Sequence, residues 1–365
     1  MSAATAGYPG FQTSSPYVLP LLLEATKNCI ENFCRVKEGE NVLILGEFDT
    51  DPIVVSAFAA SAKLAKGNVS IMMTSPYSAG GWLKGQPNDM VVGAFEKSDV
   101  LISCSYFEFA HNEKTFFNKI FSGKYRVCSL LNAASTGCLI SSGTFPIPLF
   151  LEIGKRANSI LQKTKRIKIT TNSGTDIIFD GPTGIRYSKP LEPGTWDNFP
   201  LMGINNYPTQ SNGVVVFDES TITGRSSSPI KITIENNYVS KIEGGSGAER
   251  NAIDSFANGR FAVRHLMLGL NPKTRMVNAP QFERARAAGT AHIGLDGTGD
   301  SGVLDRTKPG YSHFDMILDT PTIWVDDDLF VKDRRLLILE NPELLEIASA
   351  YGDPKKVLAQ NPFMW

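Results

Sequence analysis

The chain has 365 residues, of which 42% are hydrophobic and 20% charged, and its 36 basic side chains nearly cancel its 37 acidic ones. A chain of this length can bury a large core, and it suits two domains better than one. Because the net charge is only −1, no overall positive charge is available to hold a nucleic-acid backbone or an anionic membrane, so the composition excludes those partners and favours a small molecule.

The N-terminal segment and the cysteines predict the compartment. The first 16 residues lack the basic start and apolar run of a signal peptide, and no apolar stretch is long enough to span a bilayer, so we predict a cytoplasmic protein. The five cysteines form no CxxC pair and are odd in number, which predicts neither a disulfide framework nor a thiolate zinc site. They are interpreted as buried packing residues: Cys29, Cys34, Cys104, Cys128 and Cys138.

In the first half of the chain, short apolar runs alternate with helix-like segments. The apolar runs lie at 41–46, 68–74, 99–105 and 125–131, with a helical pattern at 51–66. This alternation is the βαβα signature of an open, mostly parallel sheet, and it predicts a Rossmann-like α/β domain over residues 17–150. The turn after the first run reads GEFDTDP and not GxGxxG, so dinucleotide binding is not predicted.

The second half has the pattern of a β-rich domain. After a predicted linking helix at 149–165, the segments RIKITTN, TDIIFD and GVVVFD alternate with period two, and IKITIENNYVSKIEG reads as a hairpin turning at Asn236–Asn237. The predicted fold is therefore α/β, with an N-terminal Rossmann-like open sheet and a β-rich domain over residues 151–365. That second domain carries most of the residues with metal-binding chemistry.

The segment SHFDMIL at 312–318 reads as a strand that carries His313 and Asp315 two positions apart. Successive strand side chains point to opposite faces, so this imidazole and this carboxylate lie on the same face. They form either a pair of metal ligands or an ordinary surface hydrogen bond.

Two further histidines favour the interpretation of His313 and Asp315 as metal ligands. His265 and His292 precede His313 by 48 and 21 residues, each near glycines, and the chain has only four histidines in all. This clustering favours a metal site over a set of buried core histidines. Two imidazoles and one carboxylate leave coordination positions open, which suits an Fe(II) centre that binds substrate and O₂ and also suits a zinc hydrolase.

Four other residues are candidates for substrate chemistry. His111 follows the third predicted strand and is either a general acid or base or an ordinary residue at a helix start. Asp296 and Thr298 either bind a polar substrate or serve the turn GTGDSG. Trp196 forms either an aromatic wall for a flat ring or part of the core.

The run from RHLMLGLNP through GTAHIGLDGTGDSG to SHFDMILDTPTIWVDD resembles the C-terminal signature of the aminopeptidase T-like, or thermophilic metallopeptidase, superfamily, and especially its 2,5-dihydroxypyridine 5,6-dioxygenase branch. The segments GTWDNFP and KIEGGSGAE are also similar to that branch. The likeness covers residues 165–330 well and the N-terminal part loosely. It implies one non-haem Fe(II) bound by His265, His313 and Asp315, a homo-oligomer, and a role for His111 in proton transfer.

Two positions depart from one or other branch. At the position of His265, the superfamily's peptidases have a glutamate ligand. The dioxygenases have a histidine there, as this chain does. The peptidase-like members have a metal-binding histidine at His292, where the pyridine dioxygenases have none. His292 is therefore a fourth ligand, an acid or base for the substrate, or a remnant.

The resemblance implies extradiol-type cleavage of a hydroxylated N-heteroaromatic such as a dihydroxypyridine, with Fe(II) and O₂. In that reaction His111 or His292 serves as the base. The alternatives are a metal-dependent, aminopeptidase-like hydrolase and a catalytically silent binding protein.

Overall fold

Two β-sheets with flanking helices organise the protein, whose structure is a computed structural model. The structure describes residues 15–75, 87–105, 119–130, 135–181, 183–220, 223–257, 260–277, 279–297 and 312–361. This mixed architecture confirms the predicted α/β class.

The strands are numbered in chain order. They are β1 (Asn41–Glu47), β2 (Asn68–Thr74), β3 (Val100–Ser103), β4 (Arg126–Ser129), β5 (Arg166–Thr170), β6 (Asp176–Asp180), β7 (Thr183–Tyr187), β8 (Thr195–Asn198), β9 (Gly203–Tyr207), β10 (Gln210–Ser220), β11 (Gly224–Glu235), β12 (Tyr238–Gly244), β13 (Phe261–Gly269), β14 (Ala291–Gly297), β15 (Ser312–Leu318), β16 (Thr322–Val325), β17 (Asp328–Lys332) and β18 (Arg335–Leu336).

The helical segments lie mainly in the first half and at the C-terminal end. The α-helices are Leu19–Lys27, Pro52–Leu64, Asp89–Glu96, Thr136–Cys138, Ile147–Leu161, Gly247–Ala257, Gln281–Arg284, Pro342–Ala348 and Pro354–Val357; π-turns occupy Asn28–Phe33 and Leu139–Gly143, and 3₁₀ turns occupy Pro16–Val18, Leu337–Glu340 and Ser349–Tyr351. Side-chain caps fix several starts; for example, Asp51 accepts a hydrogen bond from the backbone N–H of Ile53, just before the helix that opens with Pro52.

The first sheet is parallel, with strand order β2–β1–β3–β4–β8. Its inner strands β1, β3 and β4 are almost wholly buried, as expected for a parallel sheet covered on both faces. The predicted strands at 41–46, 68–74, 99–105 and 125–131 all form. The fifth strand, β8, comes from beyond residue 150, so the chain returns once to the first sheet after the predicted domain boundary.

The second sheet is antiparallel and has 13 strands within the described residues. Its pairings include a closed circuit of six strands, β10–β11–β12–β13–β14–β15 and back to β10. Apolar side chains from alternate positions on these strands, such as Val215, Ile232, Leu295 and Phe314, fill the core. The histidines and carboxylates of β13, β14 and β15 therefore lie on the outer face of this circuit.

The predicted hairpin between β11 and β12 turns at Asn236 and Asn237, as the sequence indicated. Both residues have positive φ, of 50° and 72°. Two consecutive left-handed residues form the turn type that matches the twist of a two-residue hairpin, and asparagine tolerates that conformation. The turn sets the register in which Ile234 pairs with Val239.

No single helix in the described parts of the chain is long and apolar enough to cross a membrane. The helical stretches Thr136–Gly143 and Ile147–Leu161 meet these criteria only when taken together, and they are bent by 71° relative to each other. The second of these helices buries Leu149, Phe150 and Ile153 in the protein core.

Candidate metal centre

Three adjacent strands, β13, β14 and β15, carry three of the four histidines and both of the carboxylates singled out in the sequence. Gly294 of β14 pairs with His265 of β13 on one side and with Asp315 of β15 on the other. Asp296 pairs with His313. Residues opposite each other on neighbouring strands share a face, so the pleat places all of these side chains together on the outside of the circuit.

A β-bulge places His265 on this face. Val263 pairs with Leu295, whereas His265 pairs with Gly294, so two steps along β13 correspond to one step along β14. In a regular strand Val263 and His265 would point to the same side. The extra residue, Arg264, leaves Val263 in the core and turns His265 to the outer face, a function that bulges often have next to functional sites.

Gly294 leaves the room in which the imidazoles meet. A Cβ atom at this position would lie 2.4 Å from Cε1 of His265 and 2.8 Å from Cε1 of His313. Both distances are well below van der Waals contact. The centre of the site is therefore open only because residue 294 has no side chain.

The three imidazoles converge on one carboxylate oxygen. The Nε2 atoms of His313, His265 and His292 lie 3.2, 3.6 and 3.8 Å from Oδ1 of Asp315. His265 Nε2 and His292 Nε2 are 3.1 Å apart. All four residues are buried, with at most 9% of their surface exposed.

Behind this cluster, Asp296 orients His313. The Nδ1 atom of His313 lies 2.6 Å from Oδ1 of Asp296, and Oδ2 of the same carboxylate is 3.6 Å from Nε of Arg264. A carboxylate that accepts from Nδ1–H fixes the imidazole tautomer and leaves the Nε2 lone pair for a cation. Arg264 partly neutralises the charge of this carboxylate.

The protonation states of the three histidines and Asp315 are consistent with metal binding. Burial lowers the pKa of His265 well below its ordinary value and also lowers the pKa of His292, so both rings are neutral and can act as ligands at neutral pH. Burial opposes ionisation of Asp315, but the neighbouring His313 and His292 hold its pKa far below the usual range. Burial likewise opposes a charge on His313, but Asp315 and Asp296 raise its pKa to about 9, so a cation that binds Nε2 displaces a proton.

The donor atoms fit a single metal ion. One ligand atom from each of His265, His313 and Asp315 lies within 4.8 Å of the other two. Ligands about 2.0–2.2 Å from a shared ion are separated by about 3–4 Å, which is the range of the measured distances. His292 adds a nitrogen at the edge of this set, and its Nδ1 has no hydrogen-bond partner among the described residues.

A family model described as NicX, 2,5-dihydroxypyridine 5,6-dioxygenase, matches residues 22–338, which is most of the chain. The chain belongs to the 2,5-dihydroxypyridine 5,6-dioxygenase family. The residues of the candidate metal centre all lie within the matched range.

Two solved structures are similar to this member of the dioxygenase family over most of its length. The 2,5-dihydroxypyridine dioxygenase from Pseudomonas putida KT2440 has 17% identity and a TM-score of 0.66, and the match covers 91% of this chain and 99% of that one. Wild-type AmpT from Thermus thermophilus has 11% identity and a TM-score of 0.59, with 87% and 99% covered. At these identities the two structures show the fold. No curated protein matches the chain.

The structure brings together four of the eight residues predicted for the site of this dioxygenase-family protein, His265, His292, His313 and Asp315, and adds Asp296 through its contact with His313. His111 and Thr298 lie outside the described residues. Trp196 lies on β8 in the parallel sheet, half-buried against a separate apolar cluster that includes Leu43 and Phe95. That position favours packing, the second of the two interpretations of Trp196.

Three contributors to the site were not predicted from sequence. They are Arg264, Gly294 and the half-buried Tyr207, whose ring centroid lies 6.4 Å from that of His265 and 5.5 Å from the guanidinium carbon of Arg264. The glycine inside an apolar strand pattern was the one visible signal, because such a glycine marks a bulge or a close approach.

The contact between Asp296 and His313 predicts the effect of an isosteric change. Asp296→Asn keeps an acceptor for His313 Nδ1–H but removes the negative charge, so we expect metal affinity to fall about 10–100-fold. Chelator competition under nitrogen measures this change. The matched control is Asp218→Asn, which removes a carboxylate paired with an arginine, Arg225, at the surface. Equal affinity in the two variants would contradict the assigned role of Asp296.

Proposed function

We propose that the protein is an Fe(II)-dependent dioxygenase that opens the ring of a hydroxylated N-heteroaromatic such as 2,5-dihydroxypyridine. The proposal rests mainly on the cluster of His265 on β13 with His313 and Asp315 on β15, found in a member of the 2,5-dihydroxypyridine 5,6-dioxygenase family. Two imidazoles and a carboxylate on one side of an ion form the ligand set of non-haem Fe(II) oxygenases.

In this proposal His265, His313 and Asp315 hold the iron. When bound, Fe(II) supplies the redox chemistry that lets O₂ react with the electron-rich ring. Asp296 holds the ring of His313 through Nδ1, and Arg264 pairs with the outer oxygen of Asp296. These contacts fix the ligands before the substrate arrives, so little reorganisation is needed during the reaction.

The protein also provides a dry surrounding and groups that contact the substrate. The cluster is backed by the apolar core residues Leu266, Ile293 and Phe314, which exclude water from one side. Tyr207 is the aromatic ring in contact with His265 within the described part of the chain, and we assign it the role of a wall for a flat substrate. His292 and His111 are proposed to carry the proton of the substrate hydroxyl.

A metal-dependent hydrolase is the alternative that the same fold allows, since AmpT shares the architecture. The donor set counts against it. A two-metal peptidase bridges its ions with several carboxylates, whereas the cluster described here has one carboxylate and three imidazoles around one point.

The decisive assay compares the two activities on one preparation. Protein purified under nitrogen and loaded with one Fe(II) per chain is expected to consume O₂ and 2,5-dihydroxypyridine in equal amounts. With ¹⁸O₂, both labelled atoms are expected in the ring-opened product. Release of amine from a panel of peptide amides by the zinc-loaded protein, without O₂ uptake by the iron-loaded protein, would replace the proposal with the hydrolase.

A further inference from the structure

A second cluster of metal-ligating side chains lies in the parallel-sheet half of the molecule, apart from the histidine site. The Sγ atom of Cys29 is 3.7 Å from Sγ of Cys34 and 3.7 Å from Sγ of Cys128, and all three sulfurs lie within 4.8 Å of one another. All three cysteines are fully buried. The sequence predicted buried cysteines, which is confirmed, but not that three of them meet.

The local backbone brings two of these thiols together. Cys29 and Cys34 are five residues apart, which on an α-helix separates side chains by about 140° around the axis. Here the segment Asn28–Phe33 is a π-turn, and the backbone N–H of Cys34 donates to the carbonyl of Cys29 at 2.7 Å. A π-turn brings residue i+5 back over residue i, here Cys34 over Cys29, and such turns are frequent at functional sites.

The third thiol approaches from β4, together with a cation. Cys128 and Arg126 are two residues apart on this strand and share a face. Nη1 of Arg126 donates to the carbonyls of Cys34 and Arg35 at 2.8 and 2.6 Å, and Nη2 pairs with Glu40 at 2.5 Å. A buried guanidinium beside the sulfurs favours the thiolate form, which is the form that binds metals.

The pKa values agree with this geometry. Burial by itself raises a thiol pKa, but hydrogen bonds with Cys128 and Cys29 and the charge of Arg126 lower the pKa of Cys34 to about 5. Burial raises the pKa of both Cys29 and Cys128 well above the ordinary value. The cluster therefore holds one negative charge more readily than three, and a cation must displace the remaining protons.

We propose that Cys29, Cys34 and Cys128 form a second metal site, one for a soft, low-coordinate cation such as Cu(I). Thiolates about 2.3 Å from one ion lie about 3.8–4.0 Å apart, close to the two separations of 3.7 Å. No fourth Cys, His, Asp or Glu joins this group in the described parts of the chain, so a tetrahedral zinc site is incomplete. Three thiolates without a fourth ligand suit Cu(I).

Such an ion would connect the N-terminal helical segment to an inner strand of the parallel sheet. Cys29 and Cys34 lie on that segment, and Cys128 lies on β4, between β3 and β8. An ion that binds only the folded state stabilises that state by mass action. The melting temperature of the metal-loaded protein is therefore expected to be several degrees higher than that of the metal-free protein. Since the sulfurs are buried, the protein must open locally before the ion can enter, so metal uptake is expected to be slower than the mixing of protein and metal.

The test uses the full chain, reduced and kept under nitrogen, with Cu(I) supplied from its bicinchoninate complex over several hours. We expect one Cu(I) per chain to be retained against bicinchoninate. X-ray absorption is expected to show three sulfur neighbours at about 2.3 Å. Cys128→Ala is expected to weaken retention more than about 100-fold, whereas Cys138→Ala, which removes another fully buried thiol outside the cluster, should leave it unchanged.

Two results would overturn the proposal. One is a folded wild-type protein that loses Cu(I) to bicinchoninate as readily as Cys128→Ala does. The other is bound copper with only nitrogen or oxygen neighbours, which would place it at the histidine site. The count of sulfur neighbours is made on the wild-type protein, so it decides the question even if a cysteine variant does not fold.

Discussion

His313→Ala is expected to abolish iron binding and to lower ring-cleavage turnover more than about 1,000-fold, because it removes one of the three ligands proposed for Fe(II). The effect should exceed that of any other single change at the site. His313 is the residue that joins the ligand cluster to Asp296, with Nε2 3.2 Å from Asp315 and Nδ1 2.6 Å from Asp296. Iron content after gel filtration under nitrogen and single-turnover kinetics measure the two losses.

The alanine variant also leaves two buried carboxylates without the imidazole between them, so it will lose stability. Asp315→Asn provides the isosteric companion, because it keeps the shape of the ligand and removes its charge. Both variants should retain the circular dichroism spectrum of the wild type. An iron-loaded and active His313→Ala protein would exclude this residue as a ligand.

Gly294→Ala is the second change with a large expected effect, although it alters neither a ligand nor a charge. The added methyl would lie 2.4 Å from His265 Cε1 and 2.7 Å from His265 Nδ1, so at least one imidazole must move. A displacement of about 1 Å costs about 100-fold in catalysis, and we expect metal affinity and turnover to fall by at least that factor.

A matched glycine controls for the loss of backbone freedom. Gly93 lies in the helix Asp89–Glu96, and a Cβ atom added there has nothing within 4 Å. Gly93→Ala should therefore leave iron binding and turnover unchanged and slightly raise the melting temperature, since alanine favours a helix over glycine. Wild-type iron affinity in Gly294→Ala would show that the space between the imidazoles is not where the metal binds.

Much of the fold could be predicted because its signals are local. The runs NVLILG and SHFDMIL became β1 and β15, and the two asparagines at 236 and 237 formed the predicted turn. Burial pattern and turn chemistry depend on neighbouring residues in the chain, so they can be read directly. The closed six-stranded circuit depends on pairings between distant strands, such as β10 with β15, which no local pattern specifies.

The clustering of His265, His313 and Asp315 was predicted from sequence, whereas the residues that support this cluster were not. The spacing of His313 and Asp315 on a strand predicts a shared face, and the structure confirms that placement. The position of His265 depends on a bulge at Arg264. This bulge cannot be predicted from the sequence, because the strand is apolar on both faces and has no alternation that the extra residue would interrupt. The π-turn that joins Cys29 to Cys34 also could not be predicted from the sequence, because two residues five positions apart are expected on opposite faces of an ordinary α-helix.

The most direct test of the account is to locate the iron. Crystals grown under nitrogen with Fe(II), measured on both sides of the iron absorption edge, are expected to show one anomalous peak in each chain. That peak should lie about 2.2 Å from Nε2 of His265, Nε2 of His313 and a carboxylate oxygen of Asp315. An iron peak held without His265, or no peak at this face of β13, β14 and β15, would contradict it.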